Sequence, residues 1–526
     1  MVAANRFVMP GDFGCTDASF AAGGAVPGIN GGGGSVAARY FFRRWKFSTG
    51  SWAAKAGRFL WQNSLLSPYG VIDGGFSFTI QKAQIRSLAG DLVGTLAWGG
   101  ASNKLMAPGA IAWSDPAADL AALTTYYLDL WWTAPDHGAF PIAAPQYLAG
   151  ETTAARLSPD LALDPPSTTQ TPVATAGGAA YGPTLFAARG WDGIAPAVLL
   201  LGDSIVDFAN VAAKLAPPRG DIGHLQQALG DTTGGTATYV SAARYSSSFT
   251  ALYGNDLGGF AGRNLIDWFA DACSLVQPAP MFNRVICNHG RNAIADISLA
   301  AMQTFLTTAV AKLQSRYSGI PWFQTTTTPF SYADGLTSWT TSAQTPVGAQ
   351  NSAGGLLQQW NDWILAGAGG LIAGGIDTAA ACRDAGNYGK WKTAAWSTTT
   401  LDAIAAGTSN VLRLAAAPQI GDTLAIEDDK FGSYHDLGQR CMTVCDVQPH
   451  ASGGYAVTLT SGSRLSWADL PAAAYNAWPT KAHNAGARVY LQFSRDGLHP
   501  SHAVQMQMRD IVIAAKPAIA AAIGPA

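Results

Sequence analysis

The chain has 526 residues, 48% hydrophobic and only 13% charged, about half the usual ~25% charged content. Thirty-two basic against 34 acidic residues leave a formal charge of −2. That balance argues against nucleic acid or an anionic membrane surface as the main partner, since both call for a basic field. The apolar content excludes disorder for most of the chain, and the length allows more than one domain with a core that needs no disulfide staples.

The apolar stretch from Trp363 to Ile376 is broken by five glycines and is shorter than the ~20 residues a membrane span needs. No transmembrane segment is expected. Residues 1–7 lack a basic region followed by an apolar core, so no signal peptide is read there. The composition favours a secreted or cell-surface protein, with the compartment left open. Six cysteines without a CxxC pair do not make a disulfide scaffold. Cys287, in an apolar run, reads as a core thiol. Low charge, with 17 Trp and 59 Gly, suggests a β-rich protein that meets neutral polar partners such as sugars.

Residues 1–190 read as a β-rich, sandwich-like accessory domain. Phe76–Ile80 alternates and Tyr126–Trp132 is aromatic and strand-like. The segment 22–34 is a glycine-rich loop without a phosphate-cradling motif. Residues 163–190 hold a Pro/Thr-rich linker. From about 191, short apolar runs alternate with helix-length segments. The runs are Ala197–Leu201, Thr236–Ala243, Arg284–Asn288, Trp322–Thr328 and Val489–Phe493. Residues 298–317 carry apolar residues at helical spacing, and 351–366 and 501–523 also read as helices. This alternation predicts a parallel sheet covered on both faces, built from 191–395 and 481–526. Four alternating strands between 396 and 480 predict a small β insertion placed before the last strand of that sheet.

Three strand ends carry candidate chemistry. Gly202-Asp203-Ser204 follows the run 197–201, where backbone N–H groups face a ligand bound at the carboxyl end of an open sheet. The same residues also suit a plain helix cap. Asp496 and His499 stand three apart across a turn, a spacing that lets a carboxylate orient an imidazole base, or an Asp cap a helix beside an exposed His. Asn292, in Asn288-His-Gly-Arg-Asn292, is a side-chain amide able to donate to a developing oxyanion, although Asn and Gly are also ordinary turn formers.

Gly-Asp-Ser, Gly-x-Asn and Asp-x-x-His, in this order and each at a strand end, resemble the SGNH (GDSL) hydrolase family over roughly 191–395 and 481–526. No GxSxG elbow competes with that resemblance. It implies a flavodoxin-like three-layer α/β/α domain. It also implies a Ser204 nucleophile, a His499 base supported by Asp496, and an oxyanion hole from the Ser204 N–H, a second backbone N–H and Asn292. The family glycine that supplies the second N–H is missing from Ala243–Phe249. Ser246 is the best-aligned position and Gly254 the alternative. Ala293 stands where the family usually has Asp. Asp203 and His289, flanking these motifs, are expected to meet substrate. His502 reads as a helix-face residue, and His137, His224, His435, His450 and His483 as scattered. No metal site and no cofactor are expected.

The expected activity is metal-independent hydrolysis of a short acyl ester, acetyl by resemblance, on a small ester or an acetylated polysaccharide. A lipase or thioesterase, and a non-catalytic carbohydrate-binding protein of a cell surface or phage particle, are the competing classes. Oligomeric state is not legible.

Overall fold

The structure, a computed structural model, describes residues 18–19, 40–50, 52–67, 70–73, 77–133, 142–143, 152–156, 181–191, 194–206, 223–235, 237–243, 247–254, 262–294, 297–333, 344–393, 396–406, 411–426, 442–460, 482–494 and 498–522. The glycine-rich loop 22–34 and most of the expected linker, 163–180, lie outside them.

The N-terminal region is antiparallel β. Its main strands are β1 (Tyr40–Ser48), β2 (Lys55–Gln62), β3 (Phe78–Arg86), β4 (Ile111–Trp113), β5 (Thr125–Thr133), β6 (Thr152–Arg156) and β7 (Leu185–Arg189). β6, β1, β5 and β3 run side by side in one sheet, and β7, β2 and β4 form a second. Leu128, Leu130 and Trp132, every second residue of β5, enter one core with Phe47, Phe59 and Trp61. The alternate residues Asp129 and Trp131 are buried on the other face, so β5 alternates in exposure only over its first residues.

The expected linker ends earlier than its composition suggests. The Trp45 indole N–H donates to the Tyr181 carbonyl at 2.7 Å, and the Tyr181 hydroxyl donates to the Gln62 carbonyl at 2.9 Å. Residues 181–189 therefore belong to the β region, because Tyr181 and Phe186 bury their rings there. Nor is that region a loosely tethered accessory. Leu60, Val71 and Leu185 share a core with Leu199, Phe269 and Val285, and the Trp113 indole donates to the Ala272 carbonyl at 2.8 Å.

The second region has five parallel strands: β8 (Ala197–Leu201), β9 (Thr238–Ser241), β10 (Arg284–Cys287), β11 (Trp322–Thr325) and β12 (Gly374–Ile376). Their order across the sheet is β9-β8-β10-β11-β12, the 2-1-3-4-5 arrangement of flavodoxin-like folds. Helices α1 (His224–Gly230), α2 (Leu265–Ser274), α3 (Leu299–Arg316), α4 (Leu356–Leu365) and α5 (His502–Ala521) cover it. Val198 and Leu200 pack toward α1 and α5, while Leu199 and Leu201 pack toward α2, α3 and α4. With both faces covered, β8 is apolar at every position.

One strand is not where the sequence suggests. β12, not 489–493, is the fifth parallel strand. Its glycines conceal it, and they answer to packing: a Cβ on Gly375 would stand 2.6 Å from the Ile364 carbonyl oxygen. The remaining strands are β13 (Ser397–Thr399), β14 (Val411–Leu414), β15 (Thr423–Ile426), β16 (Met442–Pro449), β17 (Tyr455–Thr460) and β18 (Arg488–Gln492). They form one antiparallel sheet in the order β13-β18-β15-β16-β17-β14. β18 pairs with β13 and β15, and Val489 packs with Leu424 and Val444. The insertion therefore runs on to 492, and the chain enters the His499 turn from this sheet instead of from the parallel one.

Candidate active site

Strand order places the site. β8 has the next two parallel strands, β9 and β10, on its opposite sides, which makes its carboxyl end a topological switch point, the place where open α/β sheets bind their ligands. Ser204 lies three residues beyond β8, Ser247 in the segment after β9, and Asn292 in the segment after β10. Gly202 is needed for the close approach of these segments. A Cβ there would stand 3.1 Å from Val206 Cβ and 3.2 Å from Asn288 Cβ.

The two meanings of Gly-Asp-Ser fall to different residues. Asp203 takes the turn-forming role, its Oδ1 accepting the Ile205 N–H at 3.0 Å. Ser204 is left half-exposed, and its Oγ lies 3.0 Å from His499 Nε2. The His499 ring is 6% exposed. Its turn is tied down by the Ser494 hydroxyl, which donates to the His499 carbonyl at 2.8 Å, and by the Ser501 N–H, which donates to the Phe493 carbonyl at 2.9 Å. Ser501 then caps α5. Asp496 lies outside the described residues, as does Ser246.

Asn292 is exposed, and its amide donates to the Ser247 carbonyl at 2.9 Å. That bond uses one amide hydrogen and leaves the second for another acceptor. Gly254, the alternative second donor, is already committed within its own helix. Its N–H donates to the Thr250 carbonyl at 2.7 Å, closing a turn.

Asp203 and His289 are not at the surface where substrate contact would need them. Asp203 has no exposed area and His289 is 1% exposed. Burial pushes the Asp203 carboxyl up to about 6, against the opposing pull of the Ile205 N–H, His499 and Arg291. Its Oδ2 has no hydrogen-bond partner among the described residues. His289 is driven down to about 3 by burial and is neutral at physiological pH. Its Nε2 lies 3.2 Å from the Ser247 hydroxyl, joining the segments after β9 and β10.

Sequence reading missed the residues that stand behind the nucleophile. Arg291 is 5% exposed and donates to the Thr328 carbonyl at 3.0 Å and to Asn351 Oδ1 at 2.9 Å. Burial lowers it to about 10, and the Asp203 charge opposes that shift. It anchors the turn that carries Asn292. Gln505 of α5 donates to the Ile205 carbonyl at 3.3 Å and accepts at 2.6 Å from His224 Nδ1 of α1. Gln226 donates to the Val206 carbonyl at 3.0 Å. The carbonyls of the nucleophile turn thus hang from two helices on the buried face of the sheet. Glutamines on an apolar helix face were the signal that could have found them.

No known protein family matches the chain, and no curated protein sequence matches it. Among solved structures, parts of it overlap an aryl esterase from M. smegmatis at 13% identity, covering 37% of this chain and 90% of that one, with a TM-score of 0.25. An acetylxylan esterase from Geobacillus stearothermophilus overlaps at 14% identity, over 36% of this chain and 80% of that one, with a TM-score of 0.22. A possible lipase from Chitinophaga pinensis overlaps at 12% identity, over 60% and 96%, with a TM-score of 0.27. Overlaps of that quality carry no argument about activity. Its described residues form a mixed α/β structure with one parallel and several antiparallel sheets.

Proposed function

We propose that the protein is an SGNH-type serine esterase that removes short acyl groups, acetyl in the first place, from carbohydrate. One observation carries the reading: a serine hydroxyl and a histidine Nε2 are 3.0 Å apart at the switch point of a parallel sheet. The motif order Gly-Asp-Ser, Gly-x-Asn and Asp-x-x-His supports it independently of that distance.

In this reading His499 Nε2 takes the Ser204 proton as Oγ attacks the ester carbonyl carbon. The carbonyl oxygen becomes an oxyanion that receives hydrogen bonds from the Ser204 N–H, the Ser246 N–H and the free hydrogen of the Asn292 amide. Collapse expels the alcohol, which takes the proton from His499. Water, activated by the same imidazole, then releases the acid from the acyl-enzyme. Asp496 has the role of fixing the imidazole through its Nδ1. The carbohydrate assignment rests on the family resemblance and the low-charge composition. Ten of the 17 Trp, among them Trp45, Trp61 and Trp391, are buried and add nothing to it.

A fluorophosphonate probe should label Ser204, and a p-nitrophenyl ester series should be cleaved fastest at the two-carbon acyl chain. Absence of labelling in folded protein would remove the esterase reading and favour a binding protein. A preference for long chains would favour a lipase.

A further inference from the structure

We propose that the cleft between the antiparallel insertion and the first turns of α5 binds a neutral oligosaccharide. The cavity holds about 490 Å³, within the ~300–1,000 Å³ usual for small-molecule sites. Neither Ser204 nor His499 lines it. It lies close to them in the chain, however: its wall includes Ser501 and His502, just after His499, and Phe493, which packs on the cluster that holds Ile205.

The cleft is built into the fold. Gly421 has φ +94°, and a Cβ there would stand 2.9 Å from His502 Cδ2. Only glycine lets the insertion close on the imidazole in this way. The Ala503 N–H donates to the Gly421 carbonyl at 3.0 Å, which locks helix and insertion together beside the cavity. His502 is 6% exposed, and its Nδ1 has no hydrogen-bond partner among the described residues. Burial holds that ring down to about 4, so it is neutral at physiological pH and accepts or donates without charge. Asp422, 8% exposed, accepts the Gln419 N–H at 2.7 Å through one oxygen.

The lining selects the ligand. Two carboxylates, Asp422 and Asp510, and the amides of Gln419, Gln492 and Gln507 face the cleft, and no Lys or Arg is among its described lining residues. An anionic ligand would meet the Asp422 carboxylate with no Lys or Arg in the described wall, and at Asp510 the neighbouring Arg509 guanidinium is already paired with that carboxylate at 2.7 Å. Sugar hydroxyls donate to carboxylates and accept from amides at once. The half-buried Trp396 and Ile420, 58% exposed, supply apolar surface for the C–H face of a pyranose ring. Any use of this site in ester hydrolysis rests on the esterase reading; the binding itself does not.

The test uses full-length Ser204→Ala protein and calorimetry at millimolar ligand. The probes are neutral xylose, glucose, mannose and N-acetylglucosamine oligomers and an anionic galacturonate oligomer. At least one neutral oligomer should bind, and Trp396→Ala or Asp422→Asn should weaken it at least ten-fold. Gln507→Ala, at an exposed helix position, should weaken it several-fold and guards against misfolding of the other two. Failure of every neutral oligomer to bind would overturn the proposal. So would equal affinity for the galacturonate oligomer, or binding unchanged in all three variants. Binding without any ester hydrolysis by the wild type would sink only the esterase reading, and hydrolysis without binding would sink only this site.

Discussion

Ser204 Oγ and His499 Nε2 lie 3.0 Å apart although 295 residues separate them in the chain. Ser204→Ala should abolish ester hydrolysis and keep the fold, because the half-exposed hydroxyl does no packing that alanine cannot do. His499→Ala should be nearly as severe. Hydrolysis of p-nitrophenyl acetate, with circular dichroism as the control, checks both. Substantial activity left in Ser204→Ala would mean another nucleophile.

Asn292→Ala should lower kcat by ~10²–10³ with little change in KM, the signature of a donor used once negative charge develops. Its bond to the Ser247 carbonyl aims the amide, so Asn292→Asp should be no better than alanine. A change confined to KM would move Asn292 into ground-state binding.

Gln505 is a positioning residue. Gln505→Leu removes the partners of the Ile205 carbonyl and of His224 Nδ1 together. Each group left unpaired costs ~1–3 kcal/mol, so chemical denaturation should register a clear loss of stability. The displaced nucleophile turn should cost about 10- to 100-fold in kcat with KM nearly unchanged. Lost stability with full kcat would leave Gln505 a purely structural role.

Stability should fall as pH drops below about 6.5. His224, His289 and His502 have folded values pressed down by burial to about 4, 3 and 4. The unfolded chain then binds protons that the native state refuses, so each contributes stability that is present above the unfolded value and lost on acidification. The slope is ~1.4 kcal/mol per pH unit for each group. Asp203 acts with the opposite sign, since its carboxyl is raised to about 6 and the native state binds that proton more readily than the unfolded chain. One group does not offset three. Thermal melts between pH 7 and 4.5 should show a falling Tm, and His224→Gln should flatten the fall.

Replacing 396–479 by a short turn should not give a folded protein. β18 lies between β13 and β15, so the deletion strips both partners from the strand that leads into the His499 turn and bares Val489 and Leu491. Loss of cooperative unfolding, with binding of a hydrophobic dye, is the expected result. A folded, active variant would make the insertion dispensable.

Much of the parallel domain was legible because its signals are local. A strand buried on both faces must be apolar throughout, as β8 is, and a helix on a sheet must repeat its apolar residues every three or four positions, as α3 does. Gly-Asp-Ser and Asp-x-x-His were legible for a related reason: turns and caps admit few residue types. What local pattern does not carry is the choice of strand partner. Val489–Phe493 is alternating and apolar enough for either sheet, and only the pairing of β18 with β13 and β15 assigned it to the insertion. The glycines of β12 hid a strand because they answer to tertiary neighbours, Gly375 to the Ile364 backbone and Gly374 to the Phe323 ring. Burial decided the roles of Asp203 and His289 in the same way. Their neighbours in sequence bring them to the nucleophile, but the closing of β8 against β10 and the helices set both behind it, while Ser204 and His499 meet across 295 residues.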